Sequence, residues 1–87
     1  MGELDDYLQA ADRETTVRSY AAAIKHFEQD WKGLLPATSD TVARYLVAYA
    51  STHKVSTLRQ RLAALARWHA EQGFADPTKT PLVRKVL

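Results

Sequence analysis

The chain contains no cysteine, only three glycines and three prolines, and one methionine among its 87 residues. Without cysteine there is no disulfide to staple a small core and no thiolate set for a structural metal. That usage fits a reducing compartment, and the expected location is the cytoplasm. No apolar run approaches the roughly 20 residues a membrane helix needs, so no membrane association is expected. The N-terminus lacks a basic-then-apolar signal pattern, and "MGELDD" puts Asp6 where a myristoylation motif wants Ser or Thr. Scarce glycine leaves no Gly-rich loop for phosphates. Strand alternation and hairpin signals are absent. Catalytic constellations are missing as well. His26, His53 and His69 fall on different predicted elements without metal-ligand spacing, Ser39 and Ser56 read as helix caps, and adjacent carboxylates occur only at Asp5-Asp6. The chain by itself is not expected to be an enzyme, and no cofactor or metal is implied.

What is present is helical periodicity in a length suited to one modest core. A short acidic first helix is expected within residues 1–14, with Leu4, Tyr7, Leu8 and Ala11 on one side. The stretch "DRETT" reads as a break, after which Thr15 or Thr16 caps a second helix reaching residue 31. That helix sets Val17, Tyr20, Ala21, Ile24, Phe27 and Trp31 on an inner face, and Arg18, Ser19, Ala22, Lys25, His26 and Gln29 opposite. Gly33 and Pro36 then interrupt. Ser39 is expected to start a helix to about residue 52, with Val42, Tyr45, Leu46 and Tyr49 buried. A further helix over 56–72 buries Leu58, Leu62, Leu65 and His69, the last as a satisfied core histidine, and Gly73 ends it in the left-handed region. Pro81 opens a final helix over 81–87. The expectation is an all-α, compact bundle of four main helices with a short acidic leader. The last helix meets the chain end in mid-pattern, so more protein is expected downstream.

Charge is distributed unevenly. Residues 1–14 carry five acids against Arg13 alone, a net of −4, whereas residues from Lys54 onward carry seven bases against two acids, a net of +5. An anionic partner for the second half is one implication. On a helical wheel, the helix "VSTLRQRLAALARWH" puts Ser56, Gln60, Ala64 and Arg67 on an outward crest, with Thr57 close by and Arg59 and Arg61 on its shoulders. Hydroxyl and amide donors in the first turns of a helix suit base edges in a major groove, and flanking arginines suit phosphates. Arg18, Ser19 and Lys25 near the start of the second helix add a similar basic face.

The ordered pieces "TTVRSYAAAIKHFEQDW", "LPAT" ahead of "TVARYL", "VSTLRQRLAALARWHAEQG" and "DPT" ahead of "VRKVL" together resemble the core-binding (SAM-like) domain of tyrosine recombinases, the phage-integrase family. The resemblance runs from Thr15 to Leu87. It implies a DNA-binding module for DNA recombination and integration over residues 15–87, gripping double-stranded DNA through the major groove and phosphates. Thr16, Arg18, Ser19 and Ala22 match contact positions on one helix, and Ser56, Thr57 and Gln60 match them on another. Arg59 and Arg61 are added from the charge argument, with Lys25 and Arg67 as further phosphate contacts. Two departures stand out: Phe27 and Trp31 are four apart where the family commonly shows three, and Ser56 stands where a longer basic residue is common. The family's tyrosine nucleophile and its basic partners belong to a catalytic domain expected downstream. Tyr7, Tyr20, Tyr45 and Tyr49 are therefore read as packing residues. Other recombinase protomers on DNA are a further expected partner, and the fragment alone is expected to be monomeric. The alternative from another class is a helical protein–protein interaction module, in which the acidic leader pairs with a basic face.

Overall fold

A computed structural model describes residues 2–87; the expected N-terminal arm begins at Met1, which lies outside the described residues. The elements are α1 (Glu3–Lys25), a π-helical turn (His26–Asp30), α2 (Ser39–Tyr49), α3 (Val55–Glu71) and α4 (Pro81–Val86), with no strand among the described residues. The all-α expectation holds. None of these helices is long and apolar enough to cross a membrane.

The expected break at "DRETT" does not occur. No glycine or proline stands between Glu3 and Trp31, and the polar residues there are all compatible with a helix. The Thr15 hydroxyl donates to the Ala11 carbonyl at 3.0 Å, four residues back, and so does not cap a new helix. Glu14 and Arg18 face each other one turn apart at 3.4 Å. The expected separate leader is thus the front half of one long helix.

That helix overshoots the bundle. Twenty-three residues at 1.5 Å each span roughly 35 Å, and the molecule measures 45 × 30 × 25 Å. Its radius of gyration is 14.5 Å, where a compact chain of this length has about 12 Å. The expectation of a compact bundle is corrected accordingly. Every residue from Gly2 to Thr15 is exposed, which also corrects the expected inner face of this helix: Val17 and Ala21 are exposed, and Ala23 is the residue buried.

The core gathers Phe27, Val42, Tyr45, Leu46, Leu58, Leu62, Leu65 and Val83, with Ile24, Trp31 and Tyr49 packed at its edge. Tyr45 is the hub of its aromatic side: Phe27, Trp31 and Tyr49 ring centroids lie 5.0, 5.2 and 5.3 Å away. The π turn carries Phe27 into this cluster, and its wider coil shifts the register of the residues after it. The chain leaves it through Lys32 in the left-handed region, and the Gly33 amide donates to the Phe27 carbonyl at 2.8 Å.

Helix ends obey local chemistry. The Thr38 hydroxyl accepts from the Thr41 amide at 3.2 Å, so Thr38, not Ser39, caps α2. Ser39 instead donates to the Pro77 carbonyl at 3.2 Å, tying α2 to the loop after α3. The α2 helix stops at Tyr49, short of residue 52. Gly73 behaves as expected: at φ 80° its amide donates to Ala70, and the Phe74 amide donates to His69 at 2.8 Å, the paired bonds of a Schellman ending. His69 is fully buried and satisfied, donating from Nδ1 to the Leu65 carbonyl at 2.7 Å and accepting at Nε2 from the Ala37 amide at 2.9 Å. It pins the loop before α2 to the middle of the fold.

Candidate nucleic-acid interface

Helix α3 is packed on two sides. Leu58, Leu62, Leu65 and His69 point into the core as expected, but Ala64 is also buried, at 1% exposure. It lines a cleft of about 340 Å³ between α1 and α3 together with Val17, Tyr20, Ile24, Arg67 and Trp68. The crest expected to face outward is therefore partly covered by α1, and a small side chain at Ala64 lets the two backbones approach. The side left exposed is shifted toward Arg59 and reads Ser56, Arg59, Ala63, Arg67 and Ala70. From Val55 to Ala70 the helix carries no acidic residue.

The predicted contact residues separate into two groups. Arg18, Lys25, Ser56, Arg59 and Arg67 are exposed, whereas Thr16, Ser19, Thr57, Gln60 and Arg61 are half-buried. Gln60 and Ser19, predicted on separate helices, meet directly: the Gln60 amide donates to the Ser19 hydroxyl. That bond leaves the Ser19 proton and the Gln60 carbonyl oxygen for another partner. Arg18 pairs with Glu14, and Arg67 donates to Glu71 while lying 5.6 Å from the Tyr20 ring centroid. Both ion pairs are solvent-exposed and worth about 1 kcal/mol or less, so a phosphate can displace either carboxylate.

Arg61 is engaged inside the fold. Its guanidinium donates to the Tyr45 hydroxyl at 3.2 Å and lies 3.1 Å from His26 Nδ1, and the Tyr45 hydroxyl in turn sits 2.6 Å from that nitrogen. Arginine can only donate, so the Tyr45 hydroxyl accepts from Arg61, and His26 Nε2 lies 3.4 Å from Arg61 and 3.9 Å from Asp30. Burial, then the Arg61 charge, holds the His26 pKa below its usual value, against the opposing pull of Asp30. Burial likewise pushes the Tyr45 phenol up, with Arg61 opposing. Arg61 thus fastens α3 to the π turn and to α2, and its guanidinium is half-buried and already bonded, unlike that of Arg59. The wheel missed this because the packed side of α1 and the π turn runs through Ser19, Ala23 and His26, not through Val17 and Ala21.

The structure also gathers residues that sequence position kept apart. Arg59, Leu62 and Ala63 of α3, Thr78 and Lys79 of the loop, and Arg84 and Leu87 at the chain end line a pocket of about 310 Å³. Lys79 and Arg84 were visible only as part of the basic second half; the fold-back of residues 73–80 sets them beside Arg59.

No family model, curated protein or solved structure matches this chain. Its function must be read from geometry and chemistry.

Proposed function

We propose that this chain is a duplex-DNA-binding module, the core-binding domain of a site-specific recombinase of the tyrosine-recombinase (phage-integrase) class. The observation that carries the reading is the exposed, acid-free start of α3. There Ser56 and Arg59 stand beside half-buried Gln60, which is itself bonded to Ser19 of α1. Hydroxyl and amide groups at a helix start read base edges, and Arg59 with Arg18, Lys25 and Arg67 neutralises phosphates. The Gln60–Ser19 bond supports this by holding donors of two helices in fixed relation, so little ordering is needed on binding. On this reading the module supplies affinity and register, and strand cleavage belongs to a separate catalytic domain. Binding by the module alone is weak, because one small domain makes few contacts.

Titrating a labelled duplex by fluorescence anisotropy at about 50 and 200 mM salt tests the reading. About four phosphate contacts predict a roughly 150-fold loss of affinity across that range. Arg59→Ala should weaken every duplex, whereas Gln60→Ala should change sequence preference. Affinity indifferent to salt rules the reading out.

A second reading, a helical protein–protein module, is favoured by one feature. Leu4 and Tyr7 are 70% and 71% exposed on a net-acidic helix end that projects beyond the bundle.

A further inference from the structure

The pocket between α3 and α4 is lined by three cations, Arg59, Lys79 and Arg84, and by no acidic side chain, so that the terminal carboxylate of Leu87 is the one negative group among its lining residues. None of the three is ion-paired among the described residues, whereas Arg18, Arg44 and Arg67 each hold a carboxylate one turn away. Asp76 stands three residues before Lys79, but its Oδ1 is occupied by the Thr78 amide at 2.8 Å and the Thr78 hydroxyl at 2.7 Å. That pair of bonds fixes the turn from which Lys79 projects. Val83, 1% exposed, anchors α4 in the core, and Arg84 comes directly after it. The cations therefore stand on three braced supports: a helix, a capped turn and an anchored helix.

Three like charges around one concavity repel, and a bound anion relieves that repulsion. Guanidinium groups suit the oxygens of a phosphate, which they can grip with paired N–H donors, and a lysine adds a mobile point charge. We propose that this pocket is a phosphate site that receives a backbone phosphodiester of the bound duplex. The DNA footprint then extends from the exposed side of α3 across to Lys79 and Arg84, away from α1. Arg59 belongs to both surfaces, so a strand running past the start of α3 is led into the pocket. This inference rests on the DNA-binding reading for its ligand, but Lys79 and Arg84 are not among the contacts expected from the sequence.

The experiment is an NMR titration of the labelled chain with a short duplex and, separately, with inorganic phosphate, alongside the Lys79→Ala/Arg84→Ala variant. The duplex should shift the Arg59 and Arg84 side-chain N–H signals and the Thr78–Thr80 amides. The double variant, with unchanged helical circular dichroism, should lose roughly three- to tenfold in duplex affinity, with a salt dependence shallower by about 1 to 2 in slope. Arg84→Lys should recover part of the loss. If the duplex shifts Ser56 and Arg59 but leaves Lys79 and Arg84 unmoved, the pocket is overturned and the DNA reading stands. If the duplex shifts nothing, the DNA reading fails. Phosphate-induced shifts at Arg59, Lys79 and Arg84 would then support an anion site of another use, and their absence would overturn the pocket too.

Discussion

His26 is the residue on which the chemistry of the fold's interior turns. It shares a 2.6 Å hydrogen bond with Tyr45, lies against Arg61 and sets its other nitrogen 3.9 Å from Asp30, all beneath partial burial. Because its folded pKa lies below 6.5, the unfolded chain takes up this proton first as pH falls. The stability it contributes is present above pH ~6.5 and is lost as pH drops from there toward the folded pKa. Thermal melts at about pH 7.5 and 5.5 should show a fall in Tm for the natural chain that is smaller in His26→Gln. Equal falls in both would show that carboxylates elsewhere carry the acid sensitivity. His26 shows how far residue type alone reaches. The helical wheel turned it to solvent, while its real role depends on which side of α1 is packed and on a tyrosine nineteen residues away.

At the scale of elements, the end of the π turn is closely confined. Gly33 passes so close to Phe27 that a Cβ there would lie 2.6 Å from Cζ and nearer still to Cε1. Phe27 has no room to give, being fully buried against Tyr45 and Trp31. Gly33→Ala should cost about 1–3 kcal/mol through overpacking, lowering Tm by roughly 4–8 °C per kcal/mol in a domain this small. A melt within about 1 °C of the natural chain would mean that the loop shifts freely. The sequence announced this glycine as a breaker, and Gly73 and Pro81 as a stop and a start, because those signals are backbone preferences. It did not announce the continuity of α1. "DRETT" combines a cap-forming threonine with acids, and such residues favour a helix start only where the preceding turn is not already helical. Nor did periodicity reveal the second packed side of α3. An alanine is apolar enough to be buried and small enough to be left exposed, so Ala63 and Ala64 look alike until a partner helix chooses between them.

For the whole molecule, the main feature is an asymmetry of charge between the front half of α1 and the second half of the chain. The front half of α1, net acidic and exposed, projects from one side, while the basic residues gather around α3, the loop beyond it and α4. Like charge would keep the acidic end away from a polyanion. Light scattering with and without duplex separates the two functional readings. The DNA-binding module should be monomeric alone and form a complex only when duplex is added. A protein–protein module should associate with itself or stay inert to duplex, with Leu4→Ser/Tyr7→Ser reducing any association. A stable dimer in the absence of DNA that this variant abolishes would favour the second reading.

Sequence alone determined the helical class, the helix stop at Gly73 and the helix start at Pro81, the core-facing stripes of α2 and α3, and His69 as a satisfied core group. These arise from interactions within a few residues or from apolar area that must leave water. Only the tertiary structure decided which α3 residues remain exposed, that Arg61 is spent on Tyr45 and His26, and that Arg59, Lys79 and Arg84 share one pocket. Those outcomes depend on where α1 crosses α3 and how residues 73–80 fold back. Contacts between distant segments of that kind leave no period in the chain to be read.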